Sequence, residues 1–308
     1  MSLFQPNPNA KGIFKNPMAL LAVIIGIIVA LSVSNARAAT AFPDAATERF
    51  SVTVTGSGPD VILIPGLASS GAVWDGTVVK LSGQYRLHVI NLAGFAGEPA
   101  GANATGDILP AEVDALDAYI KANHLKPAVV GHSLGGLLTL MLAKAHPEDA
   151  SKIVMVDALP FVGVIFNPQA TVDALKPTAT AIRDGMQSMS ADAFKAQQTA
   201  GTARLVTSPD NQKRVLDWSL TSDRRVFAQS FYEDLTTDLR GDVAAIKSPA
   251  VVIYPVETGQ TPAVTEPTYR LNYAGMPNVS FTSVADSRHF EMLDQPDAFN
   301  TALAAALK

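Results

Sequence analysis

The chain has 308 residues, a formal net charge of −5 and a hydrophobic fraction of 48%. This length suits one large α/β domain with an insertion, or two small domains. The acidic balance and the lack of a basic cluster argue against a nucleic-acid partner, because phosphate binding needs Lys and Arg side chains. The absence of cysteine excludes disulfides, cysteine metal ligands and a cysteine nucleophile.

The N-terminal segment has the pattern of a secretory signal. Lys11 and Lys15 precede an apolar run from Met18 to Leu31, and the small-residue sequence "ARA" ends at Ala38. We therefore expect a signal peptide over residues 1–38 and an exported protein, periplasmic or secreted. No stable membrane span is expected after cleavage. The alternative is an uncleaved segment that anchors the protein in a membrane, although the apolar run is short for a span.

Apolar strand patterns alternate with helical patterns through the first half of the remaining chain. The predicted strands are "RFSVTVT", "DVILI", "YRLHVINL", "PAVVG" and "SKIVMV"; the predicted helices are "GAVWDGTVVKL", "LPAEVDALDAYIKA" and Leu134 to Ala145. Continuous apolar strands separated by helices are typical of parallel sheets that are covered on both sides. The fold class is therefore α/β, with a mostly parallel central sheet and helices on both faces.

This alternation stops in the second half of the chain and later resumes. Residues 161–246 carry helical patterns without a strong strand, whereas "SPAVVIYP" and "NVSFTSVA" are strands again. A final helix is predicted with Asp294 as its N-cap and Pro296 in its first turn. We expect an α/β core over residues 39–160 and 247–308, with residues 161–246 forming a helical cap insertion. Large apolar side chains in this insertion, such as Trp218, either line an apolar acyl pocket or pack the cap.

A serine lies where a strand pattern becomes a helix pattern. In "VVGHSLGG", Ser133 has glycines two positions away on either side, Gly131 and Gly135. This spacing allows a sharp strand-to-helix turn that exposes the hydroxyl at the end of the sheet. The helix that follows directs backbone N–H groups towards a developing negative charge. Ser133 is therefore the candidate nucleophile.

Two backbone N–H groups are candidates for an oxyanion hole. One should belong to the residue after the nucleophile, Leu134, and the other to a loop that follows an earlier strand. The sequence "LIPGLASSGAVW" supplies such a loop, with Gly66 allowing a tight turn and Leu67 offering the second N–H.

Elimination among the five histidines leaves one candidate base. His88 lies within a strand pattern, His124 and His146 lie at helix ends, and His132 is expected to point away from Ser133. His289 follows the last strand and precedes the last helix, so its loop reaches the edge of the sheet where Ser133 is expected.

The sequence resembles the α/β-hydrolase superfamily, in its serine esterase or lipase-like branch with a helical cap. The resemblance rests on "PGLASSGAVW", "NLAGFAG", "VVGHSLGG", "VMVDALP" and "SRHFEMLDQP", which occur in the family's order. It implies a Ser-His-acid triad with the acid between Ser133 and His289 in the chain. The usual aspartate is missing from "IYPVETGQTP", where Glu257 stands at or beside its place. We expect Glu257 to be the acid, with Asp157 as the alternative.

The resemblance and the candidate residues together imply a serine hydrolase that cleaves an ester-like bond through an acyl-enzyme. The substrate would be a small molecule, with an apolar acyl group, and no metal or organic cofactor is expected. Acyltransferase, lactonase and perhydrolase activities remain open on the same fold. A non-catalytic binding protein that keeps the hydrolase fold is the alternative of another class.

Overall fold

A seven-stranded sheet forms the centre of the molecule, in the order β1-β3-β2-β4-β5-β6-β7. The computed structural model describes residues 48–308. Strand β1 is antiparallel to β3, and the other neighbouring strands are parallel. The strands are β1 Phe50–Gly56, β2 Asp60–Ile64, β3 Arg86–Leu92, β4 Ala128–His132, β5 Lys152–Val156, β6 Ala250–Val256 and β7 Val279–Ala285.

The α-helices connect these strands in the predicted places. They are α1 Asp75–Leu81, α2 Leu109–Ala122, α3 Leu134–Ala145, α4 Val172–Ser188, α5 Ala191–Leu205, α6 Pro209–Thr221, α7 Arg224–Thr236, α8 Pro262–Asn272, α9 Glu291–Asp294 and α10 Pro296–Ala306. Helices α4 to α7 all fall between β5 and β6. The division into a core and a separate cap over residues 161–246 stays a prediction, and residues 48–308 lie within one compact unit.

Alternate residues of the strands feed two hydrophobic cores, one on each face of the sheet. Ile62 and Ile64 of β2 belong to the core that also contains side chains of α2 and α3. Val61 and Leu63 belong to the core that contains side chains of α1 and α10. The period of two follows from the pleat of a strand. The predicted α/β fold, with a mostly parallel sheet between helices, is confirmed.

The register of the sheet sets the height of each loop at its carboxyl edge. His132 of β4 pairs with Val156 of β5, so Ser133 and Asp157 leave the sheet side by side. Val156 pairs with Ile253, whereas β6 continues to Val256. Residues that follow β6 therefore leave the sheet about 10 Å beyond the level at which Asp157 leaves it, because a strand rises ~3.3 Å per residue.

The last helix begins differently from the prediction. Its N-cap residue is Gln295, without a side-chain capping bond, and Pro296 occupies the first turn as expected. The Asp294 carboxylate instead accepts hydrogen bonds from the Thr207 N–H and hydroxyl and from the Arg288 N–H. Asp294 thus joins the loop before α6 to the loop that carries His289.

The predictions for the N-terminus need correction. The proposed signal peptide, residues 1–38, and its cleavage site after Ala38 lie outside the described residues. Between residues 48 and 308, no helix combines the length and hydropathy that a membrane crossing requires. The predicted export, and the alternative of a membrane anchor, are corrected accordingly: neither is supported, and no location is assigned.

Candidate active site

Ser133 lies in a strained turn between β4 and α3. Its backbone has φ 54° and ψ −121°, a left-handed conformation that residues other than glycine rarely adopt. The Ser133 N–H donates to the Val156 carbonyl at 2.9 Å, which joins the turn to the neighbouring strand. The side chain therefore stands at the carboxyl edge of the sheet, at the N-terminus of α3.

The positions of the glycines around Ser133 leave no room for a side chain. A Cβ at Gly131 would lie 2.0 Å from the Gly135 carbonyl oxygen, and one at Gly135 would lie 2.5 Å from the Ile64 carbonyl oxygen. A Cβ at Gly66 would lie 3.0 Å from the Ser133 Cβ. Helix α3 and the loop after β2 thus approach the serine more closely than side chains would permit.

His289 is held by a carboxylate from the end of β5. Its Nδ1–H donates to Asp157 Oδ2 at 2.5 Å, and the Tyr269 hydroxyl of α8 donates to Asp157 Oδ1. Burial raises the pKa of Asp157, but the charge of His289 and the hydrogen bonds from His289 and Tyr269 outweigh it, so the pKa lies below its ordinary value. An ionised Asp157 fixes the imidazole with its Nε2 available towards the cleft.

Glu257, the acid favoured by the sequence analysis, is not at this position. Its side chain is exposed, and within the described chain it makes no hydrogen bond to His289. The physical reason is the register of the strands. Because β6 extends beyond β5, Glu257 leaves the sheet above the level at which Ser133 and Asp157 leave it. The carboxylate on His289 is that of the alternative residue, Asp157.

The two backbone N–H groups that we expect to bind an oxyanion have no partner in the described part of the protein. Among residues 48–308, the N–H groups of Leu67 and Leu134 donate to no protein acceptor. Leu134 begins α3, and Leu67 follows Gly66, whose backbone approaches Ser133. Unpaired N–H groups at a helix N-terminus suit a negatively charged oxygen.

A cleft of about 310 Å³ opens beside Ser133, and Leu67 and Leu134 are not among its lining residues. Ser133, Asp157, Tyr269 and His289 all line it. Within the described residues, no hydrogen bond joins the Ser133 hydroxyl to His289; such catalytic contacts often tighten only when substrate binds. The remaining lining residues are Ala158, Leu159, Val162, Ile165, Asp234, Gln260, Val264, Thr265 and Thr268.

The apolar part of this lining comes partly from the predicted cap insertion, at Val162 and Ile165, and partly from the predicted core. It is supplied by residues that directly follow β5, such as Leu159 and Val162, and by Val264 of α8. Trp218, considered above as a pocket residue, packs instead against the core that contains α1 and α10, with the Arg214 guanidinium over its ring. It does not line the cleft.

The model of an alpha/beta hydrolase family matches residues 61–302. The chain belongs to the alpha/beta hydrolase family. It is accordingly an enzyme of the hydrolase class.

Relatives of this alpha/beta hydrolase are esterases. The chain is 36% identical over 111 residues to the pimeloyl-acyl-carrier-protein methyl ester esterase of Aeromonas hydrophila, a match covering 36% of this chain and 42% of that protein. It is 30% identical over 218 residues to the esterase of the same name from Vibrio cholerae, covering 68% and 80% respectively. Among solved structures, the enol-lactonase from Burkholderia xenovorans has a TM-score of 0.68 at 18% identity, covering 84% and 96%; this likeness shows the fold alone.

The alpha/beta hydrolase carries contacts at the site that the sequence analysis missed. His132 is fully buried, and its Nε2–H donates to the His289 backbone carbonyl at 2.7 Å. Burial, together with the nearby His289, lowers the pKa of His132 to about 3, so this ring remains neutral. Tyr269 orients Asp157. Periodicity places Tyr269 on a helix, but only the three-dimensional packing shows which carboxylate its hydroxyl contacts.

One group of potential metal ligands lies elsewhere in the hydrolase. The ligand atoms of Asp117, His146 and Asp149 lie within 4.8 Å of one another. Asp117 is already paired with Lys121 at 2.5 Å and with His146 at 3.2 Å. None of these residues lines the cleft, and Asp149 shares a side-chain hydrogen bond with Asp117.

Proposed function

We propose that this protein is a serine esterase that hydrolyses a small ester through an acyl-enzyme on Ser133. The observation that carries the proposal is the contact of Asp157 with His289 in the same cleft as Ser133, whose strained turn exposes its hydroxyl. The kinship with named esterases supports an ester as the bond that is cleaved.

The first half of the reaction forms the acyl-enzyme. His289 Nε2 takes the proton of Ser133 while the serine oxygen attacks the ester carbonyl. The N–H groups of Leu67 and Leu134 bind the oxyanion of the tetrahedral intermediate. Asp157 keeps the proton on His289 Nδ1 and stabilises the imidazolium that forms. His289 then gives its proton to the departing alcohol.

The second half releases the acid. Water enters the cleft and loses a proton to His289 Nε2 as it attacks the acyl carbonyl. The same N–H groups bind the second oxyanion, and Ser133 recovers its proton from His289. The apolar side chains after β5 and on α8 contact the acyl group, which we propose to be apolar near the scissile carbonyl.

A fluorophosphonate probe tests the proposal. Folded protein should be labelled on Ser133, whereas Ser133→Ala should not be labelled. A p-nitrophenyl ester series from acetate to dodecanoate should then give turnover with a defined preference for chain length. Absence of labelling in folded protein would favour a non-catalytic binding protein and reject the esterase.

A further inference from the structure

One carboxylate in the cleft has no part in the mechanism above. Asp234 of α7 lines the same cleft as Ser133 and His289. Across residues 48–308, its carboxylate has neither a hydrogen bond nor an ion pair. The oxygens of Asp157, by contrast, are both bonded, to His289 and Tyr269.

The preceding residue shows what a structural acid on this helix looks like. Glu233 accepts hydrogen bonds from the N–H groups of Ile108 and Leu109 at the start of α2, and from the Gln229 side chain. Its carboxylate thus joins α7 to the core. Asp234, the next residue, points a carboxylate into the cleft without such a role.

The charges around Asp234 favour a positively charged ligand. The described lining of the cleft contains no Lys or Arg, and His289 is already paired with Asp157. Burial raises the pKa of Asp234 to about 7, although the charge of His289 acts in the opposite direction. A partly buried carboxylate without a partner is costly, and a donor group on a ligand removes that cost.

We propose that Asp234 is a specificity-determining residue that binds an ammonium group on the substrate and disfavours substrates carrying a carboxylate. This inference rests on the esterase function proposed above. It narrows the substrate class to small esters with an amine on the side of the molecule that faces α7. The ammonium donates to the Asp234 carboxylate while the ester carbonyl lies at Ser133.

Three p-nitrophenyl esters of matched length test this assignment: hexanoate, 6-aminohexanoate and the monoester of adipate. The assay is run at about pH 8, where the alkyl ammonium is charged and the cleft carboxylate is ionised. The parent should prefer the ammonium ester and discriminate against the carboxylate ester. Asp234→Asn should lower kcat/KM for the ammonium ester about tenfold, since a charged hydrogen bond is lost. It should raise kcat/KM for the carboxylate ester, and the ratio of the ammonium-ester value to the hexanoate value should fall.

Asp192→Asn is the matched control, because Asp192 is an exposed acid on α5 that does not line the cleft. It removes the same charge and should leave the three ratios unchanged. Equal changes for all three esters in Asp234→Asn, or a parent without charge preference, would overturn the role of Asp234 while leaving the esterase intact. A parent that neither hydrolyses these esters nor reacts with fluorophosphonate would overturn both proposals.

Discussion

Asp157→Asn should abolish most of the activity. The Asp157 carboxylate accepts from His289 Nδ1–H at 2.5 Å on one oxygen and from the buried Tyr269 hydroxyl on the other. An amide has only one oxygen. If Tyr269 keeps it, the NH₂ group faces Nδ1, and the proton of His289 moves to Nε2, which can then no longer accept from Ser133.

The expected loss is about 10⁴-fold in turnover, or about 5 kcal/mol of transition-state stabilisation. Glu257→Gln is the control, because it removes the same charge as Asp157→Asn. As a surface substitution it should leave kcat/KM within about twofold of the parent value. Activity is measured as kcat/KM on a p-nitrophenyl ester, and thermal unfolding shows that both variants are folded.

Tyr269 provides a sharper test of the same reasoning. Tyr269→Phe removes the competing donor, so the amide oxygen that Asp157→Asn introduces is free to turn towards His289 Nδ1–H. The double variant should therefore recover part of the activity lost in Asp157→Asn. A folded Asp157→Asn protein within tenfold of the parent, beside an inactive Glu257→Gln, would refute the assignment. A double variant with no recovery would refute the tautomer explanation.

Three further changes have defined outcomes. Gly131→Ala puts a Cβ 2.0 Å from the Gly135 carbonyl oxygen and should lower the free energy of unfolding in urea by about 1–3 kcal/mol. Gly201→Ala is the control, because the space around Gly201 is open. Equal losses of stability in the two variants would contradict the crowding argument. Burial raises the pKa of Glu112 to about 8. The parent should therefore lose stability relative to Glu112→Gln as pH rises from 4.5 towards 8, by about 1.4 kcal/mol per pH unit. Unfolding free energies of the two proteins that change in parallel with pH would contradict this. The lowered pKa of His132 has the opposite sign: the parent should lose stability relative to His132→Gln as pH falls below 6.5 towards 3, and unfolding free energies that do not diverge would show that this ring titrates normally.

The fold was within reach of the sequence because its signals are local. Continuous apolar strands, helical spacing and the "GHSLG" turn each lie within a short stretch, and chain order then places Ser133 and His289 at one edge of a parallel sheet. The structure brings both into one cleft. The carboxylate on His289 depends instead on how far β6 runs beyond β5, and no local pattern records the relative lengths of two strands.

Side-chain partners across long separations were equally out of reach. Asp294 has the residue type of an N-cap, yet it binds the loop at Thr207, 87 residues earlier in the chain. Trp218 is a large apolar residue of the kind that often lines pockets, yet it packs against the core that contains α1 and α10. His132 lies beside Ser133 in sequence, and its bond to the His289 carbonyl spans 157 residues. Each of these outcomes is decided by packing between elements rather than by propensity.

The position of Asp157 has a consequence for the segment after β6. Because the carboxylate that contacts His289 follows β5, residues 257–261 are not needed to hold this imidazole, and yet Gln260 and the first turn of α8, at Val264 and Thr265, form one wall of the cleft. Exchange of this wall is expected to leave Ser133, His289 and Asp157 in place, so substrate preference and the reactivity of Ser133 should vary independently. A library randomised at Gln260 and Thr265 should keep uniform fluorophosphonate labelling while its members diverge in the esters they prefer.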